Sequence, residues 1–253
     1  MDDELFRKSI PGIAPSIFSG IVKRKQIQQH WADKKDFYYA DTGYFGNFIS
    51  PGNPSGKKLF HRIVKNDVQK HWLETHPSDR WQEICKIDPR YKWNGWKIGR
   101  RRGNKILVIV PNRKSCVFYG YDTEPYVDNS NRPWLMQTIE TIKKHTDMEI
   151  VVREKGSRSA RQHNSIFDAL DEGIFATVAF NSIAAIESIA YGVPAFVTVP
   201  CAASPLASTD LSKISTPFYP DESLVHQHCA SLAYGQFTGE EIANGTAWKL
   251  LNK

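Results

Sequence analysis

The sequence has little that would tie the protein to a membrane, to an oxidising compartment or to a bound metal. It contains no run approaching the roughly 20 apolar residues that cross a bilayer. Its first ten residues, MDDELFRKSI, lack the basic-then-apolar order of a signal peptide. Its four cysteines lie far apart and show no metal-ligand spacing. We therefore expect a cytoplasmic protein with free thiols and no membrane partner.

Common nucleotide-binding and hydrolase motifs are absent as well. The sequence has no GxxxxGK(S/T), GxGxxG, HExxH, GxSxG or CxxC pattern. The eight histidines are scattered, and His226 and His228 are more typical of a helix surface than of a metal site. Any catalytic chemistry must therefore be carried by other residues.

Size and charge bound the remaining classes only loosely. A chain of 253 residues can form one large domain or two small ones. A net charge of +6 and a pI near 9.0 suit a polyanionic partner, although many basic proteins bind no nucleic acid.

Residues 176–200, ATVAFNSIAAIESIAYGVPAFVTVP, are the most informative stretch. A short apolar run precedes Asn181 and Ser182, which are good helix N-cap residues. Isoleucines at helical spacing follow, and Gly192 and Pro194 predict the end of that helix before a second apolar run. This order predicts a strand–helix–strand unit of a parallel sheet, with an anion-favouring helix start at a strand end.

Further apolar runs at 105–111 and 148–152 alternate with helical patterns at 132–145 and 165–170. The second half therefore predicts a doubly wound parallel sheet, in which ligands bind beyond the carboxyl ends of the strands. Cations, hydroxyls and a helix start converge there, which predicts a nucleotide or diphosphate site. The predicted donor-binding residues are Arg153, Lys155, Asn181, Ser182, Glu187, Thr209 and Asp210.

Alternative interpretations of these residues stay open. Glu187 flanks the buried helix face and needs a partner, which the ribose hydroxyls of a nucleotide would supply. It can instead pair only with Arg153 or Lys155. Asn181 and Ser182 can act only as helix caps, and the cations can form only a solvated rim.

In the first half, the strand pattern at 36–40 runs directly into Asp41 and a glycine-punctuated loop. Functional side chains of α/β proteins often lie at such strand ends. Asp41 is therefore the candidate catalytic base. The alternative is a turn-forming aspartate whose oxygen accepts from the amide of Gly43 or Tyr44.

A basic bridge at 91–105, YKWNGWKIGRRRGNK, separates the two halves. A solvated linker explains Arg100, Arg101 and Arg102, and contact with nucleic-acid phosphates is the sharper hypothesis. We predict an N-terminal domain over 1–98 and a nucleotide-binding domain over 99–236. A C-terminal helix over 237–253 is compatible with a return to the first domain.

Several motifs carry a family resemblance. The second half resembles the nucleotide-sugar-binding domain of GT-B-type glycosyltransferases. The matching residues are Asn181, Ser182, Glu187, AYGVP at 190–194 and the cationic strand end at 153–155. The whole chain also resembles a family of small phage-encoded proteins of glycosyltransferase type. The matching motifs are YADTGYFG at 39–46, HRIVKN at 61–66, GVPAFV at 192–197, PCAA at 200–203 and LAYGQFT at 232–238. Members of that family often carry His after the aspartate of the first motif, where this chain has Thr42.

The resemblance implies an α/β, GT-B-like fold of two Rossmann-like domains whose parallel sheets face a central cleft. The donor, a UDP-sugar by expectation, would bind the C-terminal domain and the acceptor the N-terminal one. The phage setting implies the host cytoplasm, and we expect a monomer. No further cofactor is required, although a divalent metal is compatible with the pattern.

By analogy with phage DNA glucosyltransferases, the expected acceptor is a hydroxymethylated pyrimidine, such as hydroxymethylcytosine, in double-stranded phage DNA. An inverting hexosyl- or pentosyltransferase would use Asp41 as the base. The predicted acceptor-binding residues are Tyr44, Phe45, Arg62, Lys65, Arg100, Arg101 and Arg102. Two alternatives remain: a transferase acting on a glycan or protein, and a non-catalytic nucleic-acid-binding or phage interaction protein with a transferase-like fold.

Overall fold

The structure is a computed structural model that describes residues 3–12, 15–46, 60–121, 133–154 and 165–252. The chain divides into two compact units. Unit 1 comprises Met1–Asp88 and Gln227–Lys253, and unit 2 comprises Pro89–His226. Unit 1 thus ends before residue 98, and the returning segment begins before residue 237.

The strands and helices of the described residues are numbered in chain order. The strands are β1 (Ser16–Ser19), β2 (Phe37–Thr42), β3 (His61–Lys65), β4 (Lys105–Ile109), β5 (Glu149–Arg153), β6 (Ile174–Ala179), β7 (Ala195–Val197) and β8 (Gln236–Phe237). The α-helices are α1 (Asp3–Lys8), α2 (Arg24–Ala32), α3 (Asp79–Ile87), α4 (Arg113–Phe118), α5 (Pro133–Lys143), α6 (Ile166–Leu170), α7 (Ala184–Ala190), α8 (Glu222–Ala233), α9 (Gly239–Ala243) and α10 (Thr246–Leu251). Within the described ranges, no helix is long and apolar enough to cross a membrane.

Unit 2 contains a four-stranded parallel sheet in the order β5-β4-β6-β7. Every residue of the central strand β6 is buried, as expected for a strand covered on both faces, whereas no residue of the edge strand β5 is buried. Trp134, Ile142, Phe180 and Ile214 pack in its hydrophobic core. The predicted α/β class is confirmed, and so is the parallel sheet of the second half.

The helix of the 176–200 stretch begins at Ala184. Its apolar positions Ile186 and Ile189 are fully buried. Gly192 ends it with φ +86°, and a Cβ there would lie 2.4 Å from the carbonyl oxygen of Gly95. The amide of Lys97 donates to the carbonyl of Gly192 at 2.7 Å. Glycine is therefore required at this turn by both its backbone angle and the close approach of the neighbouring chain.

Unit 1 contains a four-stranded sheet in the order β1-β2-β3-β8. β1 is parallel to β2, whereas β3 is antiparallel to both β2 and β8. The prediction that both sheets are parallel is therefore wrong for unit 1, whose sheet is mixed. Its strands interrupt their apolar residues with Asp41, Arg62 and Lys65, a pattern less typical of a parallel sheet buried on both faces.

The C-terminal segment completes unit 1 by adding β8 to the sheet and α9 and α10 to its core. Phe237, Ile242 and Ala247 are fully buried there beside Tyr38 and Ile63. Thr238 begins α9 with a capping box, because its hydroxyl accepts from the Glu241 amide while the Glu241 carboxylate accepts from the Thr238 amide.

Candidate functional site

The strand order of unit 2 reverses between β4 and β6. The chain passes from β4 outward to β5 on one side, and then through β6 to β7 on the other side. In open α/β sheets, ligands bind at such a switch point, outside the carboxyl ends of the strands. We call this side the carboxyl edge of the unit 2 sheet. Residues 110–112 follow β4 at this edge, and residues 180–182 follow β6.

Arg153 is the last residue of β5 and pairs in register with Ile109 of β4, so it lies at the carboxyl edge. Burial lowers the pKa of its guanidinium, while the negative charges of Asp168, Glu187 and Glu172 act in the opposite direction. Arg153 is thus within electrostatic range of Glu187, and the donor-binding role of both residues stays a prediction. Lys155, the other predicted cation of this strand end, lies outside the described residues.

Glu187 lies in the first turn of α7 and is partly buried. The buried hydroxyl of Tyr91 donates to its Oε1 at 2.9 Å. Sequence reasoning missed Tyr91, because nothing in its neighbourhood marks it as a partner of a residue so far along the chain. Tyr91 thus supplies a hydrogen-bond partner that Glu187 needs within the protein itself.

Ser182 accepts a hydrogen bond from the amide of Ala184 through its Oγ, at 3.2 Å. This is a local contact just before α7, whose N-cap residue is Ile183. Asn181 and Ser182 are both partly buried between the end of β6 and the start of α7. Both residues therefore lie at the carboxyl edge, on the strand next to β4.

Thr209 and Asp210 are exposed in the segment that follows β7. Asp210 accepts from the amide of Ser212 at 3.0 Å and from its hydroxyl at 2.6 Å, and these bonds lower the pKa of Asp210. Its charged neighbours are Lys213 and His145. Asp210 therefore caps a 3₁₀ turn, and no contact between described residues joins it to Arg153 or Glu187.

In unit 1, Asp41 lies within β2 rather than after it. Its Oδ2 accepts from the Tyr39 hydroxyl at 3.1 Å and from Nη2 of Arg62 at 3.3 Å, and its Oδ1 accepts from the Thr42 amide at 2.7 Å. The Gly43 amide donates to the carbonyl of Phe60 instead. Asp41 is thus held by a side-chain network, and the alternative that it closes a turn onto Gly43 or Tyr44 is wrong. Its side chain remains 35% exposed.

Arg62 is 6% exposed and does not present its guanidinium to a DNA backbone, which corrects its predicted role. Its Nη1 donates to the carbonyl of Thr42 at 2.6 Å, and the guanidinium also lies over the rings of Tyr39 and Tyr44. Burial alone would lower the pKa of Arg62, but Asp41, Tyr39 and Tyr44 together outweigh it and the pKa rises. Arg62 is therefore an internal partner of Asp41.

Tyr44 and Phe45 are fully buried, so neither ring has a face to stack on a flipped base in this conformation. The Oε1 of Gln236, also buried, accepts from the amides of Tyr44 at 2.7 Å and Phe45 at 3.0 Å. The Phe45 ring packs against Trp81 with centroids 4.8 Å apart. The predicted stacking role is corrected, because these rings belong to the core of unit 1.

The remaining predicted cations lie elsewhere. In unit 1, Lys65 is exposed and its Nζ is 3.4 Å from Oδ2 of Asp36. In unit 2, Arg100 and the backbone of Arg101 belong to a 3₁₀ turn before β4. The Arg102 guanidinium lies 4.1 Å from the ring centroid of Phe175, near the start of β6. This arginine turn is therefore at the edge where the strands begin, opposite to Arg153.

Of the missed residues, Tyr39 had a signal, because it precedes Asp41 by two positions and so shares its strand face. Gln236 had none, since it comes from the returning C-terminal segment.

Within the described ranges, no group of three or more His, Cys, Asp or Glu side chains is placed to hold a metal ion.

No protein-family model matches the sequence, and no curated protein matches it either. In structure, the chain is similar to Thermosulfurimonas dismutans KpsC, beta Kdo 2,7 transferase. The TM-score is 0.50 and the identity 11%, over 93% of this chain and 84% of that chain. It is also similar to Thermosulfurimonas dismutans KpsC, beta Kdo 2,4 transferase, with a TM-score of 0.46 and 15% identity over 88% of this chain and 80% of that chain. The first similarity shows a fold of the GT-B glycosyltransferase type.

Proposed function

We propose that the protein is a glycosyltransferase whose nucleotide-sugar donor binds at the carboxyl edge of the unit 2 sheet. The observation that carries this proposal is the place of Arg153 at the carboxyl edge, with Glu187 in the first turn of the helix that follows β6. A guanidinium suits the oxygens of a phosphate or diphosphate, and a carboxylate accepts hydrogen bonds from ribose hydroxyls. Because a carboxylate has about four lone-pair sites, the Tyr91 contact and a ribose contact are compatible.

In the transfer itself, the glycosidic bond to phosphate breaks and negative charge develops on the departing nucleotide. Arg153 would stabilise that charge from a partly buried position, where an electrostatic interaction is stronger than in water. Lys155 and the backbone around Asn181 and Ser182 are proposed to assist. A UDP-sugar is our first donor candidate. The similar structures named as Kdo transferases add an acidic sugar to the predicted hexoses and pentoses.

On the acceptor side, we propose Asp41 as the carboxylate that takes the proton of the attacking hydroxyl. Hydrogen bonds from Tyr39, Thr42 and Arg62 all favour its charged form, which is the form a base must have. The same bonds fix the direction of its oxygens. Inversion at the anomeric carbon is part of this proposal, and the configuration of the product measures it.

The hydroxymethylpyrimidine acceptor remains a hypothesis from the sequence. The burial of Tyr44, Phe45 and Arg62 and the location of the arginine turn at the opposite edge of unit 2 give it no support. A glycan acceptor is favoured by one observation in unit 1, the exposed side chains of Trp72 and Leu73.

Donor binding is tested by titrating the protein with UDP-, GDP-, TDP- and CMP-linked sugars and following thermal stability and nucleotide release. Arg153→Gln should weaken donor binding by about tenfold to a hundredfold, because a charged hydrogen bond contributes about 1.5–3 kcal/mol. Arg100→Gln, at the opposite edge of the same unit, is the matched control. Equal donor affinity in the Arg153 variant contradicts the proposed site. Absence of any nucleotide-sugar binding favours the non-catalytic alternative.

A further inference from the structure

Unit 1 carries a cluster of aromatic and charged side chains that the proposed chemistry does not use. We define the Trp72 surface as Trp72, Leu73, Glu74, His76 and Tyr234. Nε1 of Trp72 donates to Oε1 of Glu74 at 2.9 Å, and Nε2 of His76 lies 3.0 Å from Oε2 of the same carboxylate. The His76 ring stacks on Tyr234 with centroids 4.7 Å apart and an interplanar angle of 18°. These contacts join Trp72, Glu74, His76 and Tyr234 into one continuous group.

The group is held from beneath by a buried cation. Nζ of Lys70 donates to Oε2 of Glu74 and to the carbonyl of Ser231, and Lys70 is 7% exposed. On the other side, the Arg80 guanidinium lies 5.6 Å from the ring centroid of Tyr234 and pairs with Glu241. These contacts fix the Glu74 carboxylate and the stacked rings of His76 and Tyr234 before any ligand binds. The entropy lost on binding is therefore smaller.

Two large apolar side chains of this group face solvent. Trp72 is 37% exposed and Leu73 is 44% exposed. The indole N–H of Trp72 is satisfied internally by Glu74, so what the ring offers to a ligand is an apolar surface. The carboxylate and the imidazole beside it accept or donate hydrogen bonds. An apolar platform edged by fixed polar groups matches a sugar ring, which presents C–H bonds on its faces and hydroxyls at its rim.

The local charge distinguishes between possible ligands. Three carboxylates, Asp67, Glu74 and Asp79, lie on or beside the segment, and the Tyr234 hydroxyl donates to Asp79 at 2.9 Å. The permanent cations are already engaged, since Lys70 pairs with Glu74 and Arg80 with Glu241. His71 and His76 each lie beside one of these carboxylates, Asp67 and Glu74. A nucleic-acid backbone needs uncommitted cations, so an uncharged, hydroxyl-rich ligand suits this surface better.

The Trp72 surface is also connected to Asp41 within unit 1. The Lys70 amide donates to the Tyr44 hydroxyl at 2.9 Å. The Tyr44 ring lies 5.7 Å from the Arg62 guanidinium, which pairs with Asp41. We propose that the Trp72 surface binds a saccharide, which is the acceptor of the proposed transfer. The role of the saccharide as acceptor rests on the proposed function. Saccharide binding itself rests only on the residues of the Trp72 surface.

The experiment measures binding of the full-length protein to an array of neutral oligosaccharides that includes glucans, galactans, mannans and chitin fragments. Duplex DNA with and without hydroxymethylcytosine forms a second arm. Trp72→Ala should lower affinity for the bound glycan about tenfold or more. Trp31→Ala is the matched control, because Trp31 is 36% exposed in the same unit and its indole N–H is also bonded internally, to the carbonyl of Asn66. Leu73→Ser provides a second, milder change should Trp72→Ala fold poorly.

Glycan binding that falls in both Trp72→Ala and Leu73→Ser but persists in Trp31→Ala supports the proposal. Three outcomes overturn it: no glycan bound by the unaltered protein, equal loss in the Trp31 variant, or binding confined to the DNA arm. The donor titration separates the two ideas. Nucleotide release without glycan binding leaves the proposed function standing, and glycan binding without any donor binding leaves only the saccharide site.

Discussion

Unit 1 and unit 2 each contain a four-stranded sheet, but the two sheets bury different kinds of side chain. In unit 2, β6 is buried from end to end, and its polar Thr177 donates to Ser188 at 3.0 Å. In unit 1, Arg62 and Gln236 face each other across β3 and β8, and both are buried. Apolar packing therefore dominates the central strand of the unit 2 sheet. In the unit 1 sheet, buried polar side chains bind backbone groups.

The roles proposed for the two units match this difference. Unit 2 presents a regular carboxyl edge with Arg153, which suits the binding of a common donor group. Unit 1 holds Asp41 through three specific hydrogen bonds, which suits the orientation of one reactive carboxylate. Substitutions in the two units should therefore have different consequences.

The largest expected effect separates chemistry in unit 1 from donor binding in unit 2. Asp41→Asn should reduce sugar transfer about 10²–10⁴-fold, because an amide cannot take the proton of the attacking hydroxyl. Donor affinity should be unchanged, because the proposed donor residues lie in unit 2. Transfer rate and nucleotide-sugar titration measure the two quantities on one preparation.

Asp36→Asn is the control for Asp41→Asn, because Asp36 is another aspartate of unit 1 and is paired with Lys65 and Asn66. It should retain full transfer. Full transfer by the Asp41 variant would show that another group is the base. Loss of folding in that variant, seen by circular dichroism, would instead identify the Asp41–Arg62 pair as structural.

The next effect compares backbone constraints in the two units. Gly192→Ala in unit 2 should destabilise the protein by about 3 kcal/mol, since a positive φ and a clash with a backbone oxygen act together. Gly20→Ala in unit 1 should cost about 1–2 kcal/mol, because Gly20 has φ +62° but no atom within 4 Å of the new Cβ. Denaturant unfolding measures both, and equal losses would contradict the role of the close approach to Gly95.

The fold of unit 2 could be predicted from the sequence to a greater extent than the fold of unit 1. Strands β4, β6 and β7 were predictable, because each is an apolar run bounded by turn residues, and so was the stop at Gly192. The place of Arg153 at the carboxyl edge was also predictable, since parallel strands bring their carboxyl ends to one edge. These features follow from local pattern and from the general geometry of a parallel sheet.

Unit 1 was less predictable, because its decisive contacts join distant parts of the chain. Tyr44 and Phe45 beside two glycines resemble an exposed aromatic loop, and only Gln236 from the returning segment explains their burial. Arg62 resembles a surface cation until β3 pairs antiparallel with β2 and places it opposite Asp41. Neither the antiparallel pairing nor the returning strand leaves a periodic signal near these residues.

Removing the buried polar contact of each sheet tests this account. Gln236→Leu should destabilise the protein by about 2 kcal/mol or more, because it leaves two buried amides, those of Tyr44 and Phe45, without their acceptor. Thr177→Val should cost about 1 kcal/mol, since Ser188 keeps its bond to the carbonyl of Val193 at 3.2 Å. Chemical denaturation compares the two, and a larger loss for Thr177→Val would reverse the contrast between the sheets.

The smallest expected effect compares two lysine–glutamate pairs of identical spacing, Lys70–Glu74 in unit 1 and Glu140–Lys144 in unit 2. Burial acts to raise the pKa of Glu74, but hydrogen bonds from Lys70, His76 and Trp72 outweigh it and lower the pKa from 4.5 to about 2. Because the folded state holds this carboxylate ionised, the stabilisation is complete above pH 4.5 and is lost as the pH falls through about 2.

Glu74→Gln should therefore flatten the decline in unfolding free energy below pH 4.5, measured by denaturation at successive pH values. Glu140→Gln should leave that decline nearly unchanged, because both side chains of its pair are mostly exposed and solvent screens their attraction. Equal flattening in both variants would show that the buried position of Lys70 adds nothing to its pair.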